Sequence, residues 1–407
     1  MILKRLLCCI FILFFLLFAH TNAYALILGA EIFGLDFRFN NPGARANAMG
    51  GAFIGLADDA TAAFTNPAGL TILTEPEICI EYKYGEYTNR VYNYDRDEDY
   101  DDTIFDTSFL SFAYPTEKAT ITLYQHRLVN IESEYTWRED STHFDNLESD
   151  MDIVTTGLGM GLKLTDTFSL GLSIGFARLE YLMLNDKYDT TGSAWPDPQV
   201  LEIINDDDSA EHYTISMLWN PFGEFNVGMV YRNGPEFKTT KSFWEYDTPG
   251  GSGYNLYWQE ENTLKIPDVF GLGVSYRFFS NLTTALDVNY VRYSDILDDV
   301  KIAGPGMEGS DFEIDDTFEI HLGLEYAFAL NDTPVALRCG YFFRPDHRIQ
   351  YDGPDADFRQ LLKDRDDHEH IFSLGFGAVL LENLQLDMAV CASEFITEGS
   401  LSIVYRF

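Results

Sequence analysis

The chain has 407 residues and a formal net charge of −38, and 46% of its residues are hydrophobic. Such an acidic surface repels phosphates, so nucleic acid is not expected among its partners. The aromatic residues are mainly Tyr (24) and Phe (32). Membrane barrels place such rings at both membrane interfaces, although a soluble all-β protein can also be rich in them.

The first 25 residues have the pattern of a secretory signal peptide. Lys4 and Arg5 precede an apolar run over residues 6–18, and residues 23–25 (AYA) form a cleavage site of the A-x-A type. The run is too short for a transmembrane helix, which needs ~20 apolar residues. We therefore expect export and cleavage after residue 25.

Residues 26–75 differ in composition from everything that follows. They are rich in Gly, Ala and Asn and lack the alternation of apolar and polar residues that marks a strand. The segment is long enough to fill the interior of a barrel. We predict that it forms a hatch, or plug, in the lumen.

Short alternating segments recur from residue 76 to residue 407. In residues 168–177, for example, the large apolar side chains fall on one face and small residues on the other. No stretch after the signal reaches ~18 consecutive apolar residues, so helices cannot carry the chain across a membrane. A closed barrel can, because it leaves no backbone polar group unpaired. We predict an antiparallel transmembrane β-barrel of about 14 strands.

Turn lengths favour a membrane barrel over a soluble β-sandwich, which alternation alone cannot do. Short turns such as residues 279–281 alternate with long polar connections, which we predict at residues 93–106, 134–150, 185–210, 243–260, 298–311 and 350–369. Short periplasmic turns and long outer loops are typical of outer-membrane barrels. The soluble sandwich stays open as an alternative.

The final residues, 402–407, alternate and end in Phe407. They resemble the C-terminal signal that the barrel assembly machinery of Gram-negative bacteria recognises. Together with the signal peptide, this ending predicts a monomer in the cell outer membrane, surrounded by outer-membrane lipid and lipopolysaccharide.

The most specific stretch lies within residues 41–70. It contains GAR at 43–45, AMGGA at 48–52, ADDA at 57–60 and NPAGL at 66–70. In these blocks the sequence resembles the FadL/TodX/OmpP1 family of outer-membrane transporters of long-chain fatty acids and aromatic hydrocarbons. The resemblance implies a barrel of about 14 strands with an N-terminal hatch. It also implies an apolar ligand pocket above the hatch and ligand exit sideways through the barrel wall.

Two parts of this stretch are candidate gating residues. Gly50 and Gly51 allow a hatch backbone to approach the barrel wall closely. Pro67 fixes φ and biases Asn66 away from helix, while the Asn66 side chain can bond to nearby backbone. Asn66, Pro67 and Ala68 therefore either hold a turn in the hatch or take part in gating, and the sequence leaves both interpretations open.

Candidates for ligand contact are less specific. The aromatic residues of one predicted outer connection could line an entry groove or belong to the interfacial girdle: Trp244, Tyr254, Tyr257 and Trp258. Five cations within the predicted strands could hold an acidic head group: Arg127, Arg178, Arg232, Lys265 and Arg344. None of them matches a ligand residue of the family, so the substrate is open between a fatty acid and a neutral hydrocarbon.

No pattern calls for a cofactor, a metal or an enzyme. The acidic runs at residues 95–102 and 206–208 do not have EF-hand spacing, and we interpret them as solvated loops, with Ca²⁺ binding as the alternative. His368 and His370 lack further metal ligands that could be placed beside them, and no G-x-S-x-G context is present.

These observations predict a passive channel that takes up hydrophobic compounds without a cofactor. The alternative is a FadL-like barrel that serves as a secretion or assembly adaptor and transports nothing.

Overall fold

The computed structural model describes residues 25–26, 38–92, 97–138, 143–189, 197–246, 254–297, 312–353 and 368–407. The predicted signal peptide lies outside these ranges except for Ala25, which with Leu26 forms a two-residue strand parallel to the first barrel strand. No helix among the described residues is long and apolar enough to cross a membrane.

Fourteen antiparallel strands in the described ranges close into one barrel. The strands are β1 (Glu77–Tyr92), β2 (Asp97–Pro115), β3 (Ala119–Arg138), β4 (His143–Lys163), β5 (Phe168–Asp189), β6 (Asp197–Phe222), β7a (Phe225–Arg232) with β7b (Glu236–Tyr246), β8a (Tyr254–Lys265) with β8b (Val269–Phe278), β9 (Leu282–Val291), β10 (Thr317–Leu330), β11 (Thr333–Arg344), β12 (Glu369–Leu380), β13 (Leu384–Ala392) and β14 (Ile396–Arg406). Closure comes from pairing of β14 with β1, where Val404 lies opposite Cys79. The predicted fold class is confirmed.

The outward side chains form an apolar band around the barrel. On β5 the outward residues are large and apolar and alternate with buried residues such as Ser173. Phe168 is half-buried, and the other four are exposed: Leu170, Leu172, Ile174 and Phe176. Exposed apolar side chains at this density have a favourable environment only in lipid. The alternation predicted from the sequence is therefore the lipid-facing surface.

The chemistry of the two faces reverses above Phe176. The outward residues become charged, as at Arg178 and Glu180, whereas the inward residues Leu179 and Met183 are apolar and fully buried. A membrane strand needs only about 9–11 residues, but β5 has 22 and β6 has 26. One side of the barrel thus continues well beyond the membrane as a tall wall with an apolar inner face.

The tall wall corrects the prediction of long loops for four of the six connections; the predicted connection 298–311 and most of 350–369 lie outside the described residues. The segments 93–106, 134–150, 185–210 and 243–260 are largely strand wherever the structure describes them. Many of their charged residues, such as Glu148 and Asp207, face outward into solvent, although Asp145 is buried. A strand with charged outward residues has a composition similar to that of a loop. At the opposite end the short turns are confirmed, and the last outer connection, residues 393–395, is also short.

Residues 44–72, which we call the hatch segment, lie inside the barrel. They form α1 (Ala44–Ala48), α2 (Ala62–Thr65) and a 3₁₀ helix (Pro67–Ile72). Helix α1 contacts β11 to β14, and the 3₁₀ helix contacts β2 to β6 on the opposite side. Contacts in both directions mean that the hatch segment fills the lumen.

A second group of residues covers the outer end. The 3₁₀ helix Tyr293–Leu297 and the short paired strands Phe312–Glu313 and Gln350–Tyr351 carry buried apolar side chains. These side chains belong to the same apolar cluster as Leu179 and Met183 of the tall wall. The cluster also includes hatch residues such as Met49 and Phe53, so one apolar core extends from the hatch segment to the outer end.

Candidate functional site

Asn66 joins the middle of the hatch segment to its 3₁₀ helix and to the barrel. Its side-chain amide donates to the carbonyl of Ile54 at 2.7 Å and to that of Met217 on β6 at 3.3 Å. Its side-chain oxygen accepts the N–H of Ala68 at 3.1 Å. Pro67 occupies the first position of the 3₁₀ helix, where a missing N–H costs nothing. The motif holds a turn, and its role in gating stays a prediction.

Gly50 and Gly51 place the hatch backbone directly against the wall. Both have positive φ, +65° and +79°, which favours glycine. A Cβ on Gly50 would lie 2.6 Å from the carbonyl oxygen of Tyr341 on β11, and a Cβ on Gly340 would lie 2.1 Å from the amide nitrogen of Gly50. Glycine is therefore required on both sides of this contact.

Polar side chains of the wall bind the hatch backbone. The Asp287 carboxylate on β9 accepts the N–H groups of Phe53 at 2.6 Å and Ile54 at 2.7 Å. The Ser373 hydroxyl on β12 accepts the N–H of Gly50 at 3.0 Å. These bonds satisfy buried donors that the irregular hatch backbone cannot pair internally.

A chain of buried charges connects the hatch segment to three strands. Arg45 of α1 makes a two-point contact with Glu325 of β10, at 2.8 and 2.9 Å. Glu325 also accepts from Arg338 of β11 at 2.7 Å, and Arg338 donates to Asp387 of β13 at 2.7 Å. Burial raises the pKa of the Asp59 carboxyl in the hatch segment, against the effect of Arg45, whose Nη1 lies 3.8 Å away. Such a network fixes one position of the hatch rather than adding much stability.

The outer halves of β2 and β3 are not joined by a backbone ladder. Their backbone ladder ends at the pair Phe109 and His126, although β2 continues along β1 and β3 continues along β4. Ser108 and Leu128 are bulged at this point, and bulges bend strands. We call the opening the β2–β3 gap. It begins level with Arg178 of β5, just beyond the apolar band.

Asn40, which precedes the hatch segment, occupies the lower end of the β2–β3 gap. Its N–H donates to the carbonyl of Leu128 at 3.1 Å, and its side-chain amide donates to that of Arg127 at 3.0 Å. Further up, the Asp106 carboxylate on β2 contacts the side chains of Arg127 and Asn130 on β3. The gap is thus closed by one segment and by side chains, not by a backbone ladder.

Spaces of different character lie on the two sides of the β2–β3 gap. Inside is a cavity of about 90 Å³, whose lining includes Phe39, Ile104 and Ile131. Outside is a groove of about 760 Å³, whose lining carries these carboxylates: Asp106, Glu132, Asp150, Asp152, Glu180, Asp206 and Asp207. A molecule that passes the gap moves between a partly apolar interior and an acidic outer surface.

The predicted entry aromatics lie at the outer end, on β7b and β8a. Trp244 lies opposite Leu256, and its buried indole N–H has no hydrogen-bond partner among the described residues. The backbones of Tyr254, Tyr257 and Trp258 belong to β8a, but their side chains are outside the described part of the structure. Their role in ligand entry stays a prediction.

All five strand cations are engaged. Four contact carboxylates: Arg127 with Asp106, Arg178 with Glu180, Lys265 with Asp268 and Arg344 with Glu369. Arg232 instead donates to the carbonyl of Phe64 in the hatch segment at 3.1 Å, and its guanidinium lies 4.1 Å from the centre of the Phe64 ring. Four of the five are thus already paired with carboxylates, whereas Arg232 contacts no carboxylate and its buried Nε has no hydrogen-bond partner among the described residues.

The acidic runs and the histidines do not form a metal site in the described ranges, where no group of three or more His, Cys, Asp or Glu side chains could hold an ion. Asp206 and Asp208, predicted in a solvated loop, lie in β6, where their carboxylates accept backbone N–H groups of β7b. His370 bonds to Tyr341 at 2.8 Å, and His368 accepts the N–H of Asp346 at 3.2 Å.

Comparison with known proteins identifies the family. The family model described as outer membrane protein transport protein (OMPP1/FadL/TodX) matches residues 37–397. The chain belongs to this family. No curated protein sequence matches the chain.

Solved structures share the fold of this OMPP1/FadL/TodX member. A Pseudomonas aeruginosa FadL homologue superposes with a TM-score of 0.67 at 14% identity, covering 91% of this chain and 99% of its own. The CymD monoaromatic hydrocarbon channel gives 0.59 at 16% identity, with coverages of 90% and 97%. The Ralstonia pickettii toluene transporter TbuX gives 0.59 at 12% identity, with coverages of 90% and 98%. The protein is thus an outer-membrane barrel of a transport family, and this family is not one of enzymes.

Proposed function

We propose that this chain is a passive channel for hydrophobic compounds, which enter at the outer end and leave sideways through the β2–β3 gap. The observation that carries the proposal is the end of the ladder at Phe109 and His126. Beyond this pair, within the described residues, Asn40 and a few side chains such as Asp106 and Tyr100 close the wall. The monomer would sit among outer-membrane lipid and lipopolysaccharide after insertion by the barrel assembly machinery.

Energetics favour the sideways route over a straight one. A straight path requires the whole hatch segment to move, and this segment is held by buried backbone bonds and by the charges around Arg45. The sideways path requires the contacts of Asn40, those of Asp106 and the Tyr100–Thr136 hydrogen bonds to break. The cost is about 0.5–1.5 kcal/mol for each neutral hydrogen bond and about 1.5–3 kcal/mol for each bond to a charged group. Transfer of the ligand into the apolar outer core contributes about 0.8 kcal/mol per CH₂ group.

Long-chain fatty acids and aromatic hydrocarbons are the substrate classes we propose. The similar structures support the second class, since two of them are a toluene transporter and a monoaromatic hydrocarbon channel. Trp244 and its neighbours on β8a would form the entry groove, and Asn66, Pro67 and Ala68, with Gly50 and Gly51, would hold or gate the hatch.

A crosslink across the β2–β3 gap tests the exit. Asp106→Cys and Asn130→Cys would be combined in a protein in which Cys79, Cys339 and Cys391 are replaced. The two new thiols would be joined by a short cleavable crosslinker. Cells carrying the crosslinked protein should lose most of their uptake of radiolabelled toluene and oleate, and cleavage should restore it.

The matched control is Glu148→Cys with Leu184→Cys, which crosslinks the unbroken β4–β5 ladder of the same tall wall. This pair should leave uptake unchanged. Full uptake through a crosslinked β2–β3 gap would overturn the sideways exit. Absence of uptake by the unmodified protein would favour the adaptor role instead.

A further inference from the structure

The barrel wall has a second break, between β6 and β7. Strand β6 pairs with β7a up to Thr214 opposite Arg232 and pairs again with β7b from Ile204 opposite Lys241. Between these points, residues 205–213 and 233–240 face each other without a continuous ladder, and one backbone hydrogen bond joins them at the lower end, from the N–H of Asn233 to the carbonyl of Tyr213 at 3.1 Å. We call this break the β6–β7 gap.

Strand interruptions on two neighbouring strands accompany the β6–β7 gap. Strand β7 is interrupted between Arg232 and Glu236 and β8 between Lys265 and Val269, and a proline lies in each break, Pro235 and Pro267. Proline has no N–H to donate, so it ends a ladder inside a sheet. The Gly234 backbone packs so closely on Ile266 that a Cβ would lie 1.8 Å from its carbonyl oxygen. The two breaks are therefore one joint feature of the wall.

Side chains replace backbone bonds across the β6–β7 gap. The Asp208 carboxylate accepts the N–H of Lys238 at 2.7 Å, and the Asp206 carboxylate accepts that of Thr240. At the lower end the Asn233 side-chain oxygen accepts the N–H of Tyr213 at 2.6 Å. A carboxylate fits between two backbones only if they are further apart than the ~4.8 Å of a paired ladder. A few side-chain contacts, with the single backbone bond between Asn233 and Tyr213, thus hold this part of the wall shut.

The β6–β7 gap connects the apolar interior with the upper edge of the lipid-facing band. Tyr213, at the lower end of the gap, and Ile215, just below it, are outward and exposed, as expected for lipid contact. Glu211, next along the outer face, is exposed and charged. On the inner side Phe237 is completely buried in the apolar cluster that also contains Leu179 and Met183.

The rim of the β6–β7 gap is acidic. Its described charged side chains are Asp206, Asp207, Asp208, Glu211 and Glu236, with Lys238 as the opposing cation. An excess of negative charge at an opening lowers the local concentration of anions. Four of the five strand cations contact carboxylates, and Arg232 faces the interior beside Phe64, so none of these five offsets the negative charge on the outer rim.

We propose that the β6–β7 gap is a second side opening of the channel, through which uncharged hydrophobic compounds pass between the outer edge of the bilayer and the apolar interior. The proposal rests on the proposed function for the existence of a ligand. It adds a route on a different side of the barrel and restricts that route to neutral molecules.

Closing the gap covalently tests the route. Asp208→Cys with Lys238→Cys would be joined by the cleavable thiol crosslinker, in protein without native cysteines held in nanodiscs. The probe is pyrene-labelled dodecanol, and its association is followed by energy transfer from the tryptophans in stopped flow. The crosslink should slow association severalfold, and cleavage should restore the rate to at least that of the parent protein.

The control crosslinks separate this idea from the exit through the β2–β3 gap. The Glu148→Cys and Leu184→Cys crosslink should change no rate. The Asp106→Cys and Asn130→Cys crosslink should reduce uptake by cells but leave association through the β6–β7 gap in place. An unchanged association rate in the crosslinked β6–β7 protein would overturn the second opening even if cellular uptake through the β2–β3 gap were established.

The charge restriction has a separate test. Asp207→Asn with Glu211→Gln removes two exposed rim charges without touching the bonds that close the gap. At low salt the association rate of pyrenedodecanoic acid should rise by about threefold, because each removed charge repels the anion. The rate for the neutral alcohol should stay the same, and an equal change for both probes would refute the restriction.

Discussion

Replacement of Asn66 with alanine is the most direct test of how the hatch is held. The substitution removes three hydrogen bonds and leaves the carbonyls of Ile54 and Met217 without this donor in a site that is completely buried. A lost neutral bond costs about 0.5–1.5 kcal/mol, and a buried group left unsatisfied costs about 1–3 kcal/mol. We expect the closed position of the hatch to lose about 2–4 kcal/mol.

Hydrogen exchange followed by mass spectrometry measures this loss locally. If the hatch opens without unfolding of the barrel, peptides from residues 44–72 should exchange about 30- to 1,000-fold faster, since 1.4 kcal/mol corresponds to a factor of ten. Peptides from β1 and β14 should keep their protection, because the barrel stays closed where these strands pair.

Asn47→Ala is the matched control, because the Asn47 side chain donates a single bond, to the Asn41 carbonyl at 3.1 Å. Its effect should be clearly smaller. Asn66→Asp should destabilise the closed hatch at least as much as Asn66→Ala, because a carboxylate places an acceptor oxygen against two carbonyl oxygens. Parent-like protection in Asn66→Ala would refute the view that this residue holds the hatch.

Three further outcomes follow from contacts described above. Gly340→Val should displace the hatch backbone at Gly50 and destabilise its closed position by about 1–3 kcal/mol or more. Protease cleavage of the hatch should therefore increase, and a hatch that stays uncleaved would contradict the close approach. Leu172→Arg, in the apolar band, should destabilise the barrel in lipid vesicles by about 2–4 kcal/mol in urea titrations. Glu325→Gln should weaken the hold on Arg45 and, as a broken buried ion pair, cost about 3–5 kcal/mol, visible as faster exchange of α1; no change would show that the network is dispensable.

The lipid-facing apolar band and the closed barrel could be predicted because the alternating strand pattern repeats along the chain. Every membrane strand must alternate, so residues 168–177 already show the lipid face, and the short turns mark one end of the barrel. The height of the wall could not be predicted in the same way. Above Phe176 the strand continues with charged outward residues, and outward charge occurs equally in loops and in solvated strands.

The hatch residues were found because their chemistry is local. Gly50 needs positive φ, and Asn66 followed by Pro67 specifies a turn. Their partners on the wall were missed, although inward glycines such as Gly340 carry a signal: a strand position without a side chain marks a close approach.

The two wall gaps depend on single residues and on register. The bulges at Ser108 and Leu128 leave the alternation of apolar and polar residues along β2 and β3 almost unchanged. The sequence pattern therefore does not predict the β2–β3 gap. Asp206 and Asp208 have loop-like composition, and only the structure reveals that they bind the backbone of β7b.

Direct labelling of the route tests the account most closely. A hydrophobic diazirine probe, such as a photoreactive alkyl benzene, would be activated in detergent-purified protein and its attachment sites mapped by mass spectrometry. If ligands leave through the β2–β3 gap, labels are expected on Phe39, Ile104 and Ile131, which line the cavity behind it. Labels confined to the lipid-facing band, with none on these three residues at saturating probe, would contradict the account.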